Sequence, residues 1–169
     1  MRGIQGQGVG QVFIFIIAAL TFSLIMIFGY KTISEFLQRG EQVELVQFKN
    51  DLENSIKKIY TEYGSTRQKE FTAPGKYTQI CFVNMDAAYD PALCSADQVA
   101  CTVWEQSKGH DSVDENVFVK PAAPVKIKTY KISIDPAIGQ NFMCLPIVNG
   151  HFSLILEGRG DLTQLSKVT

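Results

Sequence analysis

The sequence predicts an α+β fold: a long N-terminal hydrophobic and amphipathic helix packed on a small, mainly antiparallel β domain. Three observations predict it. Residues 12–30 run without a charge. Beyond them, apolar residues recur at steps of three and four as far as Tyr63. From Gly64 the helical period gives way to short β-type runs separated by turn residues. The expected organisation is a leader or short cytoplasmic segment over 1–10, a helix over 11–63 and a β-rich head over 64–169.

The apolar run comes first. Its nineteen residues would span ~28 Å as a helix, close to the ~30 Å hydrocarbon core of a bilayer. A secretory signal has a shorter apolar region of about 7–15 residues, followed by a small-residue cleavage site. Here the run is followed by KTISEFLQ, which has no such pattern. A membrane anchor or a self-packing helix is therefore expected, and not an ordinary cleaved signal. Flanking charges do not orient it, since Arg2 stands on one side and Lys31 and Arg39 on the other. The cysteines do. Cys81, Cys94, Cys101 and Cys144 all follow the run, and an even set in a small β-rich domain suits disulfides in an oxidising space. The head is expected outside.

The helix continues past the run. Leu45, Phe48, Leu52, Ile56, Ile59 and Tyr63 draw one apolar stripe, and Leu52, Ile56 and Ile59 are expected to pack on the head. Lys57 and Lys58 suit the negative end of a helix dipole, and Gly64 suits a C′ position. No proline occurs before Pro74. Gly29 and Gly40 each cost roughly 1 kcal/mol relative to alanine. Two helices joined near Gly40 are the alternative arrangement.

In the head, 76–85 reads as a strand after a Pro74-Gly75 turn. Residues 125–134 read as a strand whose alternation slips by one residue near Thr129 and Tyr130, which predicts a bulge. Asn149-Gly150 between apolar runs at 142–148 and 151–156 predicts a hairpin, with Pro146 placing its strand at an edge or a bulge. The run at 151–156 suggests a strand covered on both faces, and 116–120 a further short strand. Residues 86–115, with Trp104, read as an irregular surface excursion stapled by a disulfide. Four cysteines allow three connectivities. Proximity prefers Cys94–Cys101, which leaves Cys81–Cys144 to join two strands.

Composition and spacing argue against several functions. Sixteen basic and seventeen acidic residues leave no basic face for nucleic acid. Cys94, Cys101 and His110 lack the close spacing of a structural zinc site. Asp111, Asp114 and Glu115 lack calcium-loop spacing. Gly6, Gly8 and Gly10 follow no strand and precede no lysine, so they make no phosphate loop. Arg159-Gly160-Asp161 reads as a turn. No catalytic constellation is recognisable, so neither an enzyme nor a cofactor is expected.

A glycine-containing leader, an apolar run, an amphipathic continuation and a cysteine-bearing β head together resemble the type IV pilin superfamily, and within it the archaeal pilin-like proteins with class III signal peptides. The resemblance covers the whole layout. It implies cleavage before the apolar segment, after glycine and before glutamine, and Gly6-Gln7 and Gly10-Gln11 both match. After a cut at Gly10 the fifth residue is Phe15, where many mature pilins carry glutamate. The resemblance further implies a surface filament, with a membrane stage before assembly. Phe13, Ile14, Ile17, Leu20, Leu24 and Ile27 would pack against other copies of the chain in its core, with the heads outside. The competing expectation is a permanently anchored single-span envelope protein whose ectodomain binds a partner.

Overall fold

The structure is a computed structural model describing residues 7–107 and 113–168, with the backbone alone at 7–9 and 38. It has the α+β architecture: one long N-terminal helix and a small β domain. The chain divides into two units, one up to Val43 and one from Glu44 onward. In chain order the elements are α1 (Gln7–Ile59), β1 (Thr66–Thr72), β2 (Gln79–Val83), α2 (Leu93–Ala96), α3 (Gln98–Gln106), β3 (Val117–Lys120), β4 (Ile132–Ile134), a 3-10 turn (Pro136–Ile138), β5 (Phe142–Pro146), β6 (His151–Gly158) and β7 (Thr163–Lys167).

α1 is one element, helical through Gly29 and Gly40. It stops at Ile59, four residues before the expected end at Tyr63. Backbone crowding explains the early stop. A Cβ built at Gly158 would collide with the carbonyl oxygens of Ile59 and Glu62, so β6 ends directly against the last turn of α1. The freed groups are met locally. Gly160 N–H donates to Tyr60 O at 2.8 Å, and Gly64 N–H to Gly158 O at 2.8 Å. Tyr63 is left 81% exposed, off the stripe. Gly64, at φ 76°, reverses the chain in a conformation that a Cβ disfavours. Because the clash at Gly158 is with backbone, no side-chain rotation relieves it. Gly158→Ala is expected to cost ~1–3 kcal/mol or more, measured by urea unfolding of a fragment starting at Gly40. A cost below about 0.5 kcal/mol, the level of a neutral surface change, would contradict this close approach.

Two sheets form the head. The first has the order β1-β6-β7-β4, with β4 parallel to β7 and the other pairs antiparallel. The second has the order β3-β2-β5 and is antiparallel throughout. The main core joins Leu45, Phe48, Leu52, Ile56 and Ile59 of α1 to Phe152, Leu154 and Leu156 of β6, and to Ile80, Phe82 and Met143 of the second sheet. The Phe48 ring meets Phe152 edge-on at 6.1 Å, and Phe71 stacks on Phe152 at 5.3 Å. The buried Thr163 hydroxyl donates to Ile56 O at 2.9 Å. Ile56 itself has no exposed surface. Ile56→Ala is expected to destabilise the head by roughly 2–5 kcal/mol, read as a shift in denaturation midpoint. A change below about 0.5 kcal/mol would show that the stripe is not core.

The second sheet is covered on both faces, and the strand period of two explains how. Ile80 and Phe82 of β2 enter the main core, while Cys81 and Val83 point the other way into a second core with Leu93, Ala100, Cys101, Trp104, Phe118 and Phe142. The described residues of 86–115 are thus not the irregular surface excursion expected. Within this segment α2 and α3 carry Leu93 and Trp104 into the interior, and Asp97 caps α3 by accepting from Ala100 N–H at 2.9 Å.

Three further expectations are corrected. The 125–134 run is not one bulged strand. Ile127 bridges to Val117 in the second sheet, whereas Ile132–Ile134 pair with β7 in the first. The slip at Thr129–Tyr130 marks a change of sheet, and buried Asn116 holds it. Its side-chain oxygen accepts from Thr129 N–H at 2.8 Å, and its amide nitrogen donates to Thr129 O at 3.2 Å. The Asn149-Gly150 turn forms with φ 52° and 78°, suiting a type I′ turn, but a single Val148–His151 bridge follows. β5 and β6 then enter different sheets, so there is no hairpin between them. β6 buries Phe152, Leu154, Leu156 and Gly158 on one face, with Ile155 only half-buried on the other. Pro146 closes β5, an edge strand of the second sheet.

Candidate functional site

The head supplies structure more than chemistry. Cys81 bonds Cys144 between directly paired residues of β2 and β5, and Cys94 bonds Cys101 between α2 and α3. Cys94–Cys101 is the pair preferred from sequence proximity, and Cys81–Cys144 is the pair which that choice leaves. Their Cα–Cα separations are 4.0 and 4.8 Å. Disulfides of this kind typically contribute ~2–5 kcal/mol to small domains. The two cysteines weighed as zinc ligands are consumed in one of these bonds, and His110 lies outside the described residues. So does Asp111 of the acidic group. Asp114 pairs with Lys126 at 3.7 Å. Burial raises the Glu115 carboxyl above its ordinary value, opposed by the Lys126 charge and the Ile127 amide, with Asp97 adding to the rise. Among the described residues no three His, Cys, Asp or Glu side chains gather as metal ligands. Arg159-Gly160-Asp161 lies in the β6–β7 connection, where Gly160 has φ 93° and Arg159 bonds Gln164 and Glu157.

The feature without an internal explanation is the first part of α1. Every large apolar side chain from Val12 to Phe28 is 46–68% exposed. Phe13, Ile17, Leu20, Leu24 and Ile27 follow steps of three and four along one side. Ile14, Phe15, Phe22 and Ile25 cover other directions. A helix apolar all round is one that is buried all round in its working state. The few polar groups are already satisfied. Thr21 Oγ1 donates to Ile17 O and Ala18 O at 3.0 Å, and Ser23 Oγ to Ala19 O at 2.8 Å. Such back-bonding leaves no hydroxyl seeking water. Tyr30 and the Lys31–Glu35 pair, at 4.0 Å, begin the polar boundary. This is a helix long and apolar enough to cross a membrane.

Of the residues expected at a leader cut, Gly10 and Gln11 are exposed positions within α1. Gln7 begins that helix, with its side chain outside the described residues, and Gly6 lies outside them altogether. Leu52, Ile56 and Ile59 belong to the main core. Sequence reasoning missed Asn116 and Gly158, the two residues that set where strands change sheet and where α1 ends. Asn116 sits between an acidic pair and a β run, with no local turn signal to mark it. No protein-family model, curated protein or solved structure matches the chain.

Proposed function

We propose that this chain is the structural subunit, major or minor, of a type IV pilus-like surface filament of the archaeal kind, assembled through α1. The observation that carries the reading is the all-round exposure of the apolar side chains from Val12 to Phe28. Burying a leucine-sized side chain is worth ~1.5–3 kcal/mol, so thirteen such residues, each 46–68% exposed, represent on the order of 10–20 kcal/mol. That rivals the entire ~5–15 kcal/mol stability of an ordinary domain. Water is therefore excluded as the working environment of this segment. Lipid can cover it, and so can neighbouring copies of the same helix. A filament uses both in turn: the membrane holds the subunit, and like helices then replace the lipid.

Two things favour the filament over a permanent anchor. The same helix that carries the greasy segment also supplies Leu45 to Ile59 to the head core, and the layout resembles pilin-like proteins. The glycine–glutamine pairs at 6–7 and 10–11 suit a cut just ahead of the apolar run. Intact-mass measurement of the native protein tests the reading. Loss of residues 1–6 or 1–10 is the expected result. A full-length chain found only in the membrane fraction would replace the filament with a single-span anchored ectodomain.

A further inference from the structure

Within the unit from Glu44 onward, Glu53, Lys57 and residues 128–131 line an open depression of about 390 Å³, inside the ~300–1,000 Å³ range of small-ligand sites. We propose that it binds an acidic carbohydrate, that is, sugars carrying carboxylate or sulfate groups. The proposal goes beyond the filament reading and holds for an assembled or an anchored chain alike.

The cations come first. Among the described residues the side chains of Lys57, Lys128 and Lys131 have no ion-pair or hydrogen-bond partner, and all three are exposed. Three unneutralised ammonium groups around one depression stand out on a chain of net charge −1, and their mutual repulsion is relieved by an anion placed between them. The second feature is a rigid aromatic wall. Tyr130 packs on Tyr60 with ring centroids 4.3 Å apart and stays 39% exposed. An aromatic face of this kind takes the apolar C–H face of a sugar ring while its hydroxyl stays wet. The wall is held in place because the backbone at Thr129 and Tyr130 is clamped by buried Asn116, so Lys128 and Lys131 project from a fixed turn.

The third feature selects among anions. Glu53 also lines the depression, 3.7 Å from Lys49, and a carboxylate keeps acceptor sites beyond one such contact. Sugar hydroxyls can donate to it. The phosphates of a nucleic acid bring no such donor and are repelled by it. A uronic or sulfated sugar offers the anion, the hydroxyl donors and the apolar face together.

The test is calorimetric titration of the detergent-solubilised full chain at low salt. Three probes are compared: a trimer of galacturonic acid, a neutral galactose trimer and a trinucleotide. Saturable one-to-one binding of the acidic trimer is expected, at least tenfold tighter than either of the others. The double substitution Lys128→Gln and Lys131→Gln should weaken it tenfold or more, and both positions are exposed, so folding is spared. Lys58→Gln, outside the lining residues, should leave it unchanged. The proposal is overturned by absence of saturable binding, by equal binding of the neutral trimer or the trinucleotide, or by unchanged affinity in the double variant.

Discussion

Leu20→Asp is expected to leave the chain in the membrane fraction and to abolish filaments. Leu20 sits in the middle of the uncharged run and is 60% exposed, so the substitution disturbs no packing within the isolated chain. Its cost arises only in the environment that covers the helix. In a bilayer, an aspartate at the helix centre costs ~2.5–3.5 kcal/mol on the insertion scale, which the remaining leucine, isoleucine and phenylalanine residues at about −0.3 to −0.6 kcal/mol each largely offset. In a core of packed helices the carboxylate recurs once per subunit, unpaired, in an apolar interior. Burial of an unpaired charge there is far more costly than any single apolar contact returns. The two stages are therefore affected unequally. Cell fractionation reads the first and electron microscopy of sheared surface material reads the second. Filaments of the variant at the wild-type level would show that Leu20 is not in an assembled core.

Trp104→Ala is expected to destabilise the head by ~3–5 kcal/mol, the usual cost of removing a buried large aromatic side chain. Trp104 is 1% exposed at the centre of the second core. Its ring meets Tyr89 edge-on at 5.3 Å, and the Tyr89 hydroxyl lies 3.3 Å from the sulfurs of both Cys94 and Cys101. Truncation leaves a cavity against a disulfide and an interior sheet face, neither of which collapses easily. Guanidinium unfolding of a fragment starting at Gly40 measures the loss. A cost below about 1 kcal/mol would mean that α3 does not pack as described.

What could be read in advance divides by range. The helix was legible because its period is local: Leu45 to Ile59 repeat at steps a helix requires, and those residues form the core. β2 and β3 were legible because Ile80 to Val83 and Val117 to Val119 are apolar enough to stand out. β1 was not, since TRQKEFT is an exposed edge strand whose charges hide any alternation. β7 hid for a related reason, with Thr163 and Leu165 alone marking its buried face. The Asn149-Gly150 turn chemistry was right, but which sheet each flanking strand joins is decided by distant partners, β2 for β5 and β1 and β7 for β6. α3 carries a local signal of its own: Asp97 as N-cap, followed by Ala100, Cys101 and Trp104 on one side. The apolar segment of α1 was the plainest feature of all, because nothing in the head is needed to see that residues 12–30 must leave water.

Electron microscopy of material sheared from cells making the wild-type protein tests the central claim most directly, with helical reconstruction of any filament found. The account predicts filaments built from this chain, residues 12–30 of neighbouring copies packed together at the centre and the disulfide-bearing heads on the outside. Sheared material free of this protein, with the full-length chain retained in the membrane, would contradict it.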